Sequence, residues 1–243
     1  MESNITARKA VEFKKGLQSG MSICIGYLPV ALTFGLIAKT TGLTLSETVL
    51  MSLLVFAGAA QYISLSLLAA GTGTFEIVLT TFIVNIRHFL MSASLNEKAS
   101  GDSVFGKMFY AFGITDETFS VAATREEPVT VWYMLGLVFI SYASWVINSG
   151  IGFLMGAGLP QVLQDSMSIA LYAMFAGLLV PSMKKSRKVV FLAVLAACFN
   201  STFMLGKLMP TGWAIVAATL LSAVLVEWIE IMGRKRKVNQ AEN

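Results

Sequence analysis

A guanidinium and an imidazole, Arg87 and His88, stand side by side inside an otherwise apolar stretch, "TTFIVNIRHFLMSASL" (residues 80–95). His88 is the only histidine in the chain. An arginine stays charged at any working pH and presents a planar fork of donors that fits a carboxylate bidentately. A histidine changes charge near neutrality and can carry a proton. The nearest acids in apolar surroundings are Asp116 and Glu117 in "ITDETF" (residues 114–119). Two neighbouring carboxylates need not both ionise at low dielectric, so they too could carry a proton. Three amides, Gln61, Asn85 and Asn200, also stand in apolar sequence, with Asn148 a weaker case. Together these types suit the binding of a small zwitterion or the movement of a proton.

Other chemistries find no support. The chain lacks HExxH, P-loop and GxSxG patterns, so no enzyme and no ATP-driven engine is expected within it. One histidine leaves no metal cluster, and neither a metal nor a cofactor is expected. Cys24 and Cys198 both fall in apolar stretches and read as packing residues, with no metal-ligand spacing.

The elements that hold these residues are membrane helices. The chain is 56% hydrophobic and 13% charged, against roughly 25% charged in an average soluble domain. Apolar stretches run at about 20 residues, the length a bilayer requires. The fold class is therefore an all-α polytopic integral membrane protein. Expected spans are 17–38, 47–70, 74–95, 104–123, 130–157, 166–183, 188–207 and 211–232, with a basic segment at 1–16 and a basic tail at 233–243. The first stretch follows two lysines as a signal peptide would. It lacks a small-x-small cleavage site and reads as retained.

The net charge of +4 does not point to nucleic acid, because the bases are clustered. Twelve of the 18 lie in three groups: Arg8, Lys9, Lys14 and Lys15; Lys184, Lys185, Arg187 and Lys188; and Arg234 to Lys237. Clusters beside spans mark the cytoplasmic face and suit an anionic leaflet of the lipid bilayer. Eight crossings with the amino terminus inside put all three clusters in the cytoplasm, together with both termini. Seven crossings, without the acid-bearing 104–123, leave at least one cluster outside. Eight is the expectation and seven the alternative.

Depth then constrains Arg87. It lies about 4 Å from the centre of its span at 1.5 Å per residue, where an arginine costs roughly 2.5–3.5 kcal/mol on insertion scales. Asp116 and Glu117, in the next and antiparallel span, are the carboxylates at comparable depth, so Arg87 is expected to pair with one of them. The competing reading is a buried pair that fixes helix register and nothing else. Asn85 and His88 are three apart and share a face, with Arg87 on its flank. Gln61 and Asn200 read by default as interhelical hydrogen bonds. Gln61, however, ends the small-residue run "FAGAAQ", where backbone can approach a ligand.

Helix breaks are the remaining device. Pro29 lies mid-span and Pro181 near a span end, and a membrane proline frees a carbonyl that other groups must satisfy. Phe56-Ala57-Gly58 recurs as Phe175-Ala176-Gly177, and Gly35 aligns with Gly152. This faint repeat, 17–123 against 130–232, would be parallel with eight spans and inverted with seven. Pro29, Gly58, Gly177 and Pro181 are thus the candidate break and gating positions.

These motifs resemble the AzlC/YgaZ family, the large subunit of bacterial branched-chain amino-acid exporters. The resemblance covers about residues 15–232 and rests on "GYLPVALTFGLIA", "MSLLVFAGAAQYISLSLLAAG", "TTFIVNIRHFLMSASL" and "ITDETF" in that order. It implies export of valine, isoleucine, leucine or methionine across the bacterial inner membrane, and a small partner membrane subunit of the AzlD/YgaH type. It carries over Gln61, Asn85, Arg87, His88, Asp116 and Glu117 as family-typical positions. The resulting expectation is a secondary transporter with Arg87 as carboxylate anchor and proton antiport as its natural coupling. A passive channel and a non-transporting scaffold with a structural Arg87–acid pair are the rivals.

Overall fold

The computed structural model describes residues 2–99, 103–156 and 186–241, and the isolated positions 162, 176, 179, 180, 183 and 184. The expected span 166–183, with Gly177 and Pro181, lies outside the described residues apart from the few isolated positions. Among the described residues nine helices form: α1 (Glu2–Thr40), α2 (Leu45–Leu54), α3 (Gly58–Ala69), α4 (Thr74–Lys98), α5 (Val104–Ala111), α6 (Asp116–Ala123), α7 (Val131–Met155), α8 (Arg187–Leu205) and α9 (Thr211–Ala241). Five of these are long and apolar enough to cross a membrane: α1, α4, α7, α8 and α9. The protein is a polytopic helical membrane protein.

Two compact units divide the chain. The first comprises residues 1–66 and 84–173, the second residues 67–83 and 174–243. In the second unit, the Glu76 carboxylate accepts from the Trp213 backbone N–H at 3.1 Å, capping the exposed donors at the start of α9. Lys188 pairs there with Glu227 at 2.9 Å. Asn200 lies in this unit on α8, its Oδ1 without a hydrogen-bond partner.

The first unit is built on α1 and α7, which run parallel and in backbone contact. A Cβ at Gly16 would meet the Tyr133 carbonyl and one at Gly136 the Phe13 carbonyl. Further along, a Cβ at Gly35 would lie 1.9 Å from the Ser149 oxygen, and one at Gly152 would lie 2.1 Å from the Leu32 oxygen. The offset of 117 that relates Gly35 to Gly152 also relates Leu32 to Ser149, so the crossing maps onto itself. Only glycine permits so close an approach of two helix backbones. α1 runs unbroken through Pro29, so that proline is not the expected break. The Thr33 hydroxyl instead donates to the Pro29 carbonyl at 2.8 Å.

Two of the eight expected spans are not single helices. The stretch 47–70 divides into α2 and α3 at residues 55–57, and 104–123 divides into α5 and α6 at residues 112–115. Their local sequences set these boundaries. α2 opens with a capping box between Thr44 and Glu47, and α6 opens with a reciprocal pair between Thr115 and Thr118. Each such box satisfies donors at a helix start.

Both pairs are hairpins that turn back. Gly106 packs on Val131 and Gly113 on Val138, so α5 runs beside α7 in the same direction. α6 then returns, and at its far end Lys98 of α4 donates to the Ala123 carbonyl at 2.5 Å. An isolated bridge between Ala99 and Val129 ties the loops before and after this hairpin. The α2–α3 hairpin enters from the opposite end. Gly150 lies against Val49, and Tyr142, eight residues earlier in α7, donates to the Leu53 carbonyl at 2.7 Å. α3 then climbs back along α1, with Tyr62 donating to the Val30 carbonyl at 2.7 Å.

Where hydropathy alone suggests eight crossings, the two hairpins therefore do not cross. A hairpin of two short apolar helices carries as much hydrophobic sequence as one span. Hydropathy cannot distinguish them.

Candidate functional site

The tips of the two hairpins converge on Tyr142 of α7. Phe56, in the α2–α3 break, packs edge-on against Tyr27 of α1 with centroids 6.0 Å apart and against Tyr142 of α7 at 5.3 Å. Phe112, at the α5–α6 break, packs edge-on against the same Tyr142 at 5.8 Å. Tyr27 also meets Trp145 at 5.2 Å. In a membrane, non-helical backbone at depth is tolerated only where protein or a polar cavity surrounds it. Here α1 and α7 provide that surrounding, with aromatic rings on each break. The Tyr142 hydroxyl takes one of the carbonyls left free at the end of α2.

The charged groups stand at the second break. Arg87 Nη1 lies 2.9 Å from Asp116 Oδ2, with side chains 36% and 25% exposed. Asp116 is the first residue of α6, where a negative charge faces the positive end of the helix dipole. Arg87 reaches it from α4 and leaves its Nε buried with no hydrogen-bond partner. Of the two acids expected as its partner, the arginine meets Asp116.

Glu117 has a different environment. The Tyr27 hydroxyl donates to Glu117 Oε2 at 2.6 Å and lies 2.8 Å from the Thr115 hydroxyl. Tyr27 is buried to 4% exposure, so its phenol needs these partners. Sequence reasoning missed Tyr27. The available signal was a tyrosine in the middle of an apolar span, whose polar tip must be satisfied at depth.

The other candidates are placed as follows. Asn85 and His88 are half-buried on α4, and the Asn85 Oδ1 is without a hydrogen-bond partner. Gln61 is fully buried and makes interhelical hydrogen bonds, its default reading, with partners that the sequence reading did not name. Trp145 Nε1 donates to Gln61 Oε1 at 2.8 Å, Gln61 Nε2 donates to the Ser52 hydroxyl at 3.2 Å, and Ser52 donates to the Ser149 hydroxyl at 2.9 Å. Gln61 thus ties α3 to α2 and α7 rather than opening to a ligand. Gly58 begins α3 beneath Trp145, where a Cβ would come within 2.8 Å of the ring. The structure brings Arg87, Asp116, Glu117 and the break before Gly58 around Tyr27 and Tyr142. Asn200 belongs to the other unit.

A second charged group closes the end where α6 finishes and α7 starts. Arg125 pairs with Glu12 of α1 at 2.9 Å and with Glu127, and its guanidinium lies 4.0 Å over the Tyr133 ring. Lys15 joins Glu127 at 3.0 Å. The Arg125 and Lys15 cations hold the Glu127 carboxyl below the usual carboxylate range. Among the described residues no cluster of histidine, cysteine and acidic side chains could hold a metal ion.

Comparison with known proteins adds a family. The family model described as "AzlC protein" matches residues 22–159. The chain is 29% identical over 224 residues to "Inner membrane protein YgaZ" of Escherichia coli (strain K12), covering 89% of this chain and 91% of that one. It is 32% identical over 222 residues to an "Uncharacterized membrane protein" of Archaeoglobus fulgidus, covering 90% and 96%. It is 23% identical over 179 residues to "Branched-chain amino acid transport protein AzlC" of Bacillus subtilis (strain 168), covering 72% and 70%. No solved structure matches.

Proposed function

The chain belongs to the AzlC family of membrane transport proteins, and from that premise we propose that it is a secondary exporter of branched-chain and other hydrophobic amino acids. Valine, isoleucine, leucine and methionine are its expected substrates. The observation that carries this reading is the Arg87–Asp116 pair at a helix break between two opposed hairpins.

An intramembrane ion pair at such a break suits a zwitterion. Arg87 holds Asp116 through Nη1 and leaves its buried Nε unpaired, so a substrate carboxylate that reaches this edge of the guanidinium finds a free donor there. The substrate ammonium then goes to Asp116 or Glu117. Broken helices expose backbone groups to substrate near the midplane in many transporters. The aromatic and aliphatic surroundings of the two breaks suit an apolar side chain.

Proton antiport, a small AzlD/YgaH-type membrane subunit and the bacterial inner membrane complete the reading. Both termini are assigned to the cytoplasm. Replacing two crossings by hairpins leaves the parity unchanged, so all three basic clusters can still face inward, in accord with the positive-inside bias.

Efflux of labelled valine or leucine tests the proposal. Arg87→Ala and Asp116→Ala should abolish efflux while membrane levels stay normal. Normal efflux from stably inserted variants refutes it. Counterflow of labelled against unlabelled leucine separates a carrier from a channel, since only a carrier shows it.

A further inference from the structure

Asp116 and Glu117 are consecutive, yet the structure gives them different partners. Asp116 meets a guanidinium. Glu117 meets a phenol, and no Arg or Lys pairs with it among the described residues. We propose that Glu117, and not Asp116, is the carboxylate on which a proton and the substrate ammonium exclude each other. This rests on the transport reading above and deepens it by assigning the coupling group.

The hydroxyl chain behind Glu117 is the physical basis. A hydroxyl has one proton to donate and can accept as well. With Glu117 ionised, Tyr27 donates to Oε2, so the Thr115 hydroxyl must donate to Tyr27. Thr115 in turn accepts from the Thr118 backbone N–H at 3.3 Å. With Glu117 protonated, the carboxylic acid donates to Tyr27 and Tyr27 donates to Thr115. The Thr115 proton then turns to the Thr118 hydroxyl, 3.4 Å away. Each hydroxyl thus has a partner in both states, and the heavy atoms need not move. Asp116 has no such chain, because its partner Arg87 can only donate.

The charges around Glu117 fit this role. From α4 come Arg87 and His88, the latter within electrostatic reach of Glu117. From α1 comes Tyr27, and on α6 itself Asp116 is neutralised by Arg87. α7 carries no charged residue. The one charged residue of α5, Lys107, is bonded to Asn96 at 2.8 Å. An ionised Glu117 therefore lacks a dedicated counter-ion and can take either a proton or an ammonium. One carboxylate cannot hold both, and that competition is what an antiporter needs.

The test uses everted membrane vesicles from cells expressing the full chain, with labelled leucine as probe. A pH gradient, acid inside, drives uptake by the wild type. Glu117→Gln should lower gradient-driven accumulation by about tenfold or more and remove its dependence on pH. Leucine-for-leucine exchange, which moves no net proton, should fall less than gradient-driven accumulation, because the Gln carbonyl still accepts from an ammonium, only more weakly than a carboxylate. Tyr27→Phe should shift the pH profile of accumulation, a change that a purely structural tyrosine would not cause. Gradient-driven accumulation and a pH profile like the wild type's in Glu117→Gln overturn this assignment alone. A wild type that moves no hydrophobic amino acid overturns the transport reading and this assignment with it.

Discussion

Gly35 of α1 and Gly152 of α7 face each other at a crossing where each leaves room for the other helix's backbone carbonyl. That contact holds together the two helices against which both hairpins rest.

Substitution at this crossing should loosen the whole first unit. Gly35→Ala places a methyl on the Ser149 carbonyl and forces the helices apart, an overpacking cost of about 1–3 kcal/mol. Gly26 of the same helix has open space around it, so Gly26→Ala should leave stability unchanged. Thermal unfolding of the detergent-solubilised protein compares the two. Equal melting temperatures would refute the close-approach argument.

The Gln61 network should act on stability before it acts on substrate choice. Gln61→Leu strands the Trp145 indole N–H and loosens Ser52, a cost of about 1–3 kcal/mol for buried groups left unsatisfied. The expected result is a lower melting temperature with an unchanged ranking of amino-acid substrates. A normal melting temperature with altered ranking would instead place Gln61 against the substrate.

Charge exchange separates a structural pair from a working one. Arg87→Asp with Asp116→Arg rebuilds an ion pair but puts the cation at the positive end of α6, against the helix dipole. The double variant should recover membrane levels lost in Arg87→Asp alone, yet remain without efflux. Recovered efflux would show that only helix register matters here.

The Glu127 contacts carry a pH dependence with a defined sign. The Arg125 hydrogen bond first, then Lys15, lowers its pKa in the folded state. A lowered carboxylate contributes stability above the unfolded pKa and loses it as pH falls through the folded value. Acidification below the usual carboxylate range should thus loosen the α1 contact with the loop before α7. Glu127→Gln should show a smaller fall in melting temperature over that range. An identical fall would remove Glu127 from the account.

Much of the site was legible from depth and charge. An arginine near the centre of a span requires an acid, and residues 116 and 117 were the acids at that depth. Which of them it meets was not legible, because consecutive residues on a short helix differ by about 100° in direction. That direction depends on where α6 begins. The capping Thr115 and the turn before it fix that start, and neither stands out in an apolar sequence. The roles of Tyr27 and Trp145 are not legible in the sequence, because aromatic residues within a span read as apolar until their polar atoms need partners.

The sequence by itself determined that this chain lives in a bilayer, that its ionisable residues there need one another, and to which family it belongs. These follow from transfer free energies and motif order, which local composition expresses. Only the tertiary structure decided that two of the expected spans turn back as hairpins from opposite ends. The free carbonyl at the first turn is taken by Tyr142, a residue 89 positions away from Leu53, and no window along the chain contains both. The same distance hid the contact between Tyr27 and Glu117, 90 positions apart, which gives the two acids different partners.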